Sequence, residues 1–285
     1  MSTQPDPSTG PSEGTAQAPS GGTPPQDEKE DPTSRMSFFE HLVELRKRIL
    51  LSLAWIGGGV GLGMIASDKA YNFLARPMIT ALKNAGMEQR LVYTSPMGPL
   101  MLYLTVGFYL GLVLALPFVL HQVWLFVAPG LYKHERRAVV WFIGAGTGLF
   151  LAGAAFGYYL ALPMTLKFLL SIPGPFVPMI SINEYFDMSM VVLMGLGLVF
   201  QLPILIFFLA LFGIVTPRFL WKNFRYAILV IAIIAAAITP TTDALTMLVF
   251  MAPMILLYVV GIGVAALVLR SKRKRAEQLS SAGAA

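Results

Sequence analysis

Apolar residues gather in six runs, at about 49–67, 98–120, 138–162, 188–212, 226–238 and 244–269, and short polar stretches rich in Lys and Arg separate them. Most of these runs reach the roughly 20 residues that carry a helix across a ~30 Å hydrocarbon core. The pattern predicts an all-α polytopic membrane protein with six transmembrane helices. The fifth run is short: at ~1.5 Å per residue it covers only about 20 Å. It must thin the bilayer, borrow flanking residues or shelter behind other helices, and it reads as a hairpin partner of the sixth. Pro117, Pro203 and Pro253 fall inside runs and predict a kinked bundle. Gly59/Gly63, Gly107/Gly111, Gly144/Gly148 and Gly153/Gly157 are spaced to let helix backbones approach closely.

The flanks read differently. Residues 1–35 are rich in Ser, Thr, Pro, Gly and Gln with no apolar run, which predicts a disordered tail rather than a cleavable signal peptide. The first span is therefore expected to insert uncleaved. Between tail and span, Ser37 and Glu40 have capping-box spacing, and Phe38, Leu42, Leu45 and Ile49 share one face. That predicts a surface helix over 37–48 lying on the membrane. The organisation is thus a tail at 1–35, a six-span domain at 36–270 and a basic tail at 271–285.

Composition agrees: 56% of residues are hydrophobic and only 13% charged, with a mean hydropathy of +0.68, which excludes an ordinary soluble domain. The net charge of +6 does not point to nucleic acid, because the cations sit at the ends of the apolar runs. Arg46, Lys47, Arg48, Lys133, Arg136, Arg137, Arg218, Lys222, Arg225 and the Arg270–Arg275 cluster fall on one side; Lys69, Arg76, Lys83, Arg90 and Lys167 fall on the other. The positive-inside rule then places both termini in the cytoplasm. Four of the opposing cations lie in the first outer loop, against the rule, alongside Asp68 and Glu88. With no cysteine and three scattered histidines, nothing suggests a disulfide, a metal site or a cofactor.

Candidate chemistry is sparse. Ionisable groups at membrane depth are expensive and mark ion or proton pathways, and the spans carry almost none. Gln201, two residues before Pro203, is the main polar group. It reads either as a helix-to-helix hydrogen bond or as a polar spot that an inserted peptide or partner helix contacts. Glu40 and Glu44 form a like-charge pair on one helical face that Arg48 neutralises only in part. Glu135 lies in Leu-Tyr-Lys-His-Glu-Arg-Arg, where it can be a counter-charge to topology signals. Asp243 stands where it would cap the sixth helix.

Longer stretches are more specific. His41-Leu-Val-Glu44-Leu-Arg46-Lys-Arg48 precedes the first span, and Gln122-Val-Trp124-Leu-Phe126-Val-Ala-Pro129-Gly-Leu-Tyr132-Lys-His134-Glu135-Arg136-Arg137 follows the second. Ala75-Arg-Pro77 lies between them in the first outer loop, Phe200-Gln201-Leu-Pro203 in the fourth span, and Thr239-Pro240-Thr-Thr-Asp243 between the last two spans. In these motifs the chain resembles the TatC family, over about residues 36–270. The resemblance implies a receptor subunit of the twin-arginine translocase in the cell inner membrane, not an enzyme. Such a receptor binds the paired arginines of export signals and, with TatA-like and TatB-like single-span partners in an oligomeric assembly, exports folded proteins using the proton-motive force. It also implies that Glu44 and Glu135 are the principal acidic residues of the signal-peptide site, that Arg46, Phe126 and His134 shape it, and that Gln201 meets the signal's apolar stretch or a partner helix. Pro77, Pro203 and Asp243 would then be structural. The chain departs from some family members at position 201, where a glutamate often stands; an amide cannot titrate there.

Two other classes fit less well. A secondary transporter of a small solute should show internal repeats and coordinating polar groups at the midplane. A membrane-embedded hydrolase needs a nucleophile with its base, or paired aspartates, at membrane depth. Neither pattern is present.

Overall fold

The computed structural model describes residues 38–127, 136–172, 179–241 and 243–282. The chain divides at His41/Leu42, and the membrane bundle belongs wholly to the second part. The elements are α1 (Phe38–Ile65), α2 (Ser67–Asn84), α3 (Gly98–Val127), α4 (Arg136–Phe156), a π-helical turn (Gly157–Ala161), α5 (Leu162–Leu170), α6 (Ile182–Val199), α7 (Leu202–Leu211), α8 (Pro217–Lys222), α9 (Phe224–Ile238) and α10 (Ala244–Ala282). Among the described residues, five helical stretches are long and apolar enough to cross a membrane: Leu42–Ile65, Gly98–Phe126, Val140–Leu170, Ile182–Leu211 and Ala244–Lys274. Phe224–Ile238 is a shorter apolar helix. The protein is an all-α, multi-pass membrane protein, and these six elements match the six apolar runs.

Three features differ from the sequence reading. The surface helix expected at 37–48 is continuous with the first span in α1; no breaker lies between Arg48 and Leu53, so backbone hydrogen bonding simply runs through. The stretch read as an outer loop forms α2, which buries Ala75, Pro77, Met78 and Leu82. Beyond the last apolar run, α10 continues through the basic segment to Ala282. Ser37 and the 1–35 tail lie outside the described residues.

The first and second spans cross antiparallel, as do the third and fourth, and small residues set where they cross. A Cβ on Gly59 would stand 2.5 Å from the Gly111 carbonyl oxygen, and one on Gly63 would stand 2.6 Å from the Gly111 amide. The first two glycine pairs therefore meet each other, with α1 backbone directly on α3 backbone. One turn away Trp55 stacks on Phe118 at 4.3 Å. Gly153 and Gly157 similarly receive α6 around Leu196 and Leu193. Gly144 and Gly148 face open space instead.

The prolines fall into two kinds. Pro203 sits in the first turn of α7, directly after the break at Phe200–Gln201 that divides the fourth span. Pro77 lies inside α2, where a missing N–H and a ring clash cost ~3 kcal/mol or more. The carbonyl four residues back, on Phe73, accepts the Tyr158 hydroxyl at 2.8 Å, and the next, on Leu74, accepts the Tyr185 hydroxyl at 2.6 Å. Tyr158 belongs to the π turn and Tyr185 to α6, so the carbonyls that Pro77 disturbs become anchor points for the third and fourth spans. Phe73 also stacks on Tyr158 at 4.3 Å. Val92 pairs with the chain at Ser181 through two backbone hydrogen bonds, closing this cap end of the bundle.

At the opposite end, Trp124 of α3 packs with Phe142 of α4 and Phe208 of α7, with ring centroids 4.9–6.1 Å apart. α10 is tied down by Tyr258, which donates to the Leu220 carbonyl at 2.9 Å, and by Lys272, whose ammonium donates to the Leu211 carbonyl. α9 packs against α10 and α6, burying Ile231 and Ala235 with Phe250 and Met254, as expected of a short hairpin partner.

Candidate functional site

The end of the bundle opposite α2 brings together Glu44, Arg48 and Gln122. α1 has 3.6 residues per turn, so Glu44 and Arg48 lie one above the other on the same face. The Arg48 guanidinium donates to Glu44 Oε1 at 3.1 Å. Its other terminal nitrogen reaches Gln122 Oε1 on α3 at 3.4 Å. The pair is largely sheltered, with side-chain exposures of 15% for Glu44 and 22% for Arg48, and Gln122 is buried. Glu44 Oε2 and Arg48 Nε are both buried and meet no hydrogen-bonding partner among the described residues. Among the described residues, one carboxylate oxygen is thus held and the other finds no partner.

A sheltered charge costs far more when its hydrogen-bonding capacity is unfilled than when it is paired. The site is best suited to receive a cationic, multiply donating group.

The helical rotation separates Arg46 from Glu44 by about 200°, and Arg46 is exposed with Val43, Lys47, Leu50 and Leu51 along a shallow groove of about 410 Å³. Phe126 is half-buried and lies one turn beyond Gln122, on the same side of α3. Glu44, Arg48, Gln122 and Phe126 therefore belong together, while Arg46 borders them from the outer face of α1. His134 and Glu135 lie outside the described residues. The sequence reading missed Gln122 as a site residue. Its position four residues before Phe126 was the available signal, but only the antiparallel crossing of α1 and α3 brings it to Arg48.

Gln201 occupies the break between α6 and α7 and donates through Nε2 to the Gly146 carbonyl at 2.8 Å. Its Oε1 is buried without a partner among the described residues. Leu120 packs at the same Gly146, so Gln201 lies within a few ångströms of the level of Gln122 along α3. The helix-to-helix hydrogen bond is formed, and one acceptor remains.

Asp243 caps α10, accepting the Thr246 backbone amide at 2.7 Å. Desolvation pushes its pKa up, but the Thr241 and Thr246 side chains and the Thr246 amide more than offset this and hold it below the usual value.

The comparisons with known proteins agree on one family. Residues 40–253 match the model of TatC, the Sec-independent protein translocase protein. The TatC protein of Koribacter versatilis (strain Ellin345) is 51% identical over 243 residues, covering 85% of this chain and 90% of that protein. TatCy of Bacillus subtilis (strain 168) is 35% identical over 253 residues, covering 87% and 94%. A crystal structure of the twin-arginine translocase receptor TatC superimposes with a TM-score of 0.70 at 30% identity, covering 81% of this chain and 100% of that one.

Proposed function

The chain belongs to the TatC family and is a subunit of the twin-arginine translocase, and from that premise we propose that it receives twin-arginine signal peptides at the end of the bundle carrying Glu44. The observation that supports this most directly is the half-used Glu44 carboxylate. One oxygen is engaged by Arg48 and the other is sheltered and open among the described residues.

An arginine presents a planar fork of donors that fits a carboxylate side-on, whereas a lysine offers a point charge. Two adjacent arginines want two carboxylates. Glu44 supplies one and, by resemblance, Glu135 the other. Each charge-assisted hydrogen bond contributes about 1.5–3 kcal/mol, less where water screens it. Because cations dominate the sequence at this end, a basic peptide is not drawn by the net field and is selected by local fit. Arg46, Phe126 and His134 border the site in this reading, and the open acceptor of Gln201 meets the apolar stretch of the signal or a partner helix.

The chain acts as a binding protein rather than an enzyme in this reading, with no cofactor, metal or nucleic acid. It sits in the cell inner membrane with both termini cytoplasmic. TatA-like and TatB-like single-span proteins complete an oligomeric assembly that passes folded precursors outward on the proton-motive force. A solute transporter finds no supporting observation.

Photocrosslinking of a twin-arginine signal peptide to membranes containing the protein tests the assignment. Glu44→Ala, Glu135→Ala and an Arg-Arg→Lys-Lys peptide should each lower crosslinking about tenfold or more, as the loss of one such contact implies. Crosslinking unchanged in all three would overturn it.

A further inference from the structure

The cations of the cap end have no use under the positive-inside rule, and two of them converge. Arg76 on α2 and Lys167 on α5 line one cavity of about 750 Å³, together with Thr80, Asn84, Tyr159 and Ser171. No carboxylate lines it among the described residues, and neither cation forms an ion pair among them. Tyr158 and Tyr159 are shared with a second cavity of about 530 Å³ that runs along α2, α3, α4 and α6, past Lys69 at its edge and Leu110, Leu151, Ala155 and Leu193. The second cavity is almost wholly apolar. A basic, polar chamber and a greasy groove thus share two lining tyrosines, Tyr158 and Tyr159.

The depth matches a bilayer leaflet. Counting from Val140 at the other end of the third span at ~1.5 Å per residue, Tyr158 and Tyr159 stand about 28 Å up and Lys167 about 40 Å up. These are the edge of a ~30 Å hydrocarbon core and the headgroup layer above it. Tyrosine favours that boundary, and cations there attract anionic headgroups.

We propose that this end of the bundle holds one anionic phospholipid of the adjacent leaflet. Its phosphate lies between Arg76 and Lys167, and an acyl chain lies in the groove below Tyr158 and Tyr159. The site rests on this geometry alone and is independent of the signal-peptide reading. A lipid there fills the space between α2 and the spans, so it supports the cap whose carbonyls already anchor Tyr158 and Tyr185.

Native mass spectrometry of the detergent-solubilised full chain, titrated with phosphatidylglycerol or phosphatidylcholine, tests it. Phosphatidylglycerol should be retained about tenfold more strongly, as expected of two cations near an anionic headgroup. Arg76→Gln/Lys167→Gln should abolish the preference, and Lys83→Gln, outside the cavity, should keep it. Ala155→Trp, which fills the groove at an exposed position, should lower retention of both lipids. Equal retention of the two lipids by the unaltered chain, or a preference that survives the double substitution, would overturn the proposal. Retention unaffected by Ala155→Trp, or phosphatidylglycerol fully displaced by millimolar inorganic phosphate, would reject the acyl-chain half.

Discussion

Asp243 shows how much a single side chain can settle. It stands directly before α10 and receives the Thr246 amide at 2.7 Å, satisfying one of the donors that a helix start leaves unpaired. Its pKa is lowered in the folded protein, so its contribution is fully present above the ordinary carboxylate value and is lost as the pH falls through the folded value. Asp243→Ala should therefore lower the thermal unfolding temperature at pH 7, and Asp243→Asn, which caps nearly as well, should lower it less. The gap between wild type and Asp243→Ala should close in acid; a gap independent of pH would show that the carboxylate charge is not what stabilises. This role was legible in the sequence because cap and amide are three residues apart. Gln201 was legible for a related reason, since a lone amide at membrane depth must find a partner. The Arg48 bridge to Gln122 was not, because its two ends are 74 positions apart and nothing local reveals which face of α3 meets α1.

At the scale of elements, the spans themselves were readable because membrane solvent imposes one strong rule, that backbone polar groups be satisfied within the segment. Run lengths then gave the helices almost directly. α2 escaped because it is polar on one face and carries Pro77 in its interior, both of which read as loop. Tyr158 and Tyr185, brought from two other spans, donate to the Phe73 and Leu74 carbonyls beside the proline. The glycine pairs were visible but not their pairing, and the structure separates those that carry a crossing from those that do not. Gly111→Leu would place a side chain against Val60 and Gly59 backbone, and overpacking of this kind costs about 1–3 kcal/mol. Gly144→Leu meets nothing within 4 Å in this chain and should be close to neutral for the isolated protein. Unfolding of the two variants in detergent compares them, and equal destabilisation would mean that the α1/α3 crossing is not a close backbone contact.

For the whole molecule, the two ends of the bundle are chemically unlike. One end carries Glu44, Arg48 and Gln122 beside a dense basic sequence, and Lys272 of that sequence also closes the last turn of α7. The other end carries α2, the Val92–Ser181 pairing and the cations around the tyrosines. The short α9 makes the bundle uneven: its 15 residues span about 22 Å against a ~30 Å core, while its outer face exposes Leu229, Val230 and Ile233 to lipid. The bilayer beside α9 is therefore expected to be thinner than around the rest of the protein. Which end faces the cytoplasm decides whether Glu44 can meet a newly made precursor at all. The chain has no cysteine, so single reporters can be introduced without background, and Ser95 and Ser271 are both exposed at opposite ends. A membrane-impermeant maleimide added to spheroplasts should label Ser95→Cys at once and Ser271→Cys only after the membrane is opened. The reverse order would put Glu44 on the outer side, where no precursor waits, and the receptor reading would fall with it.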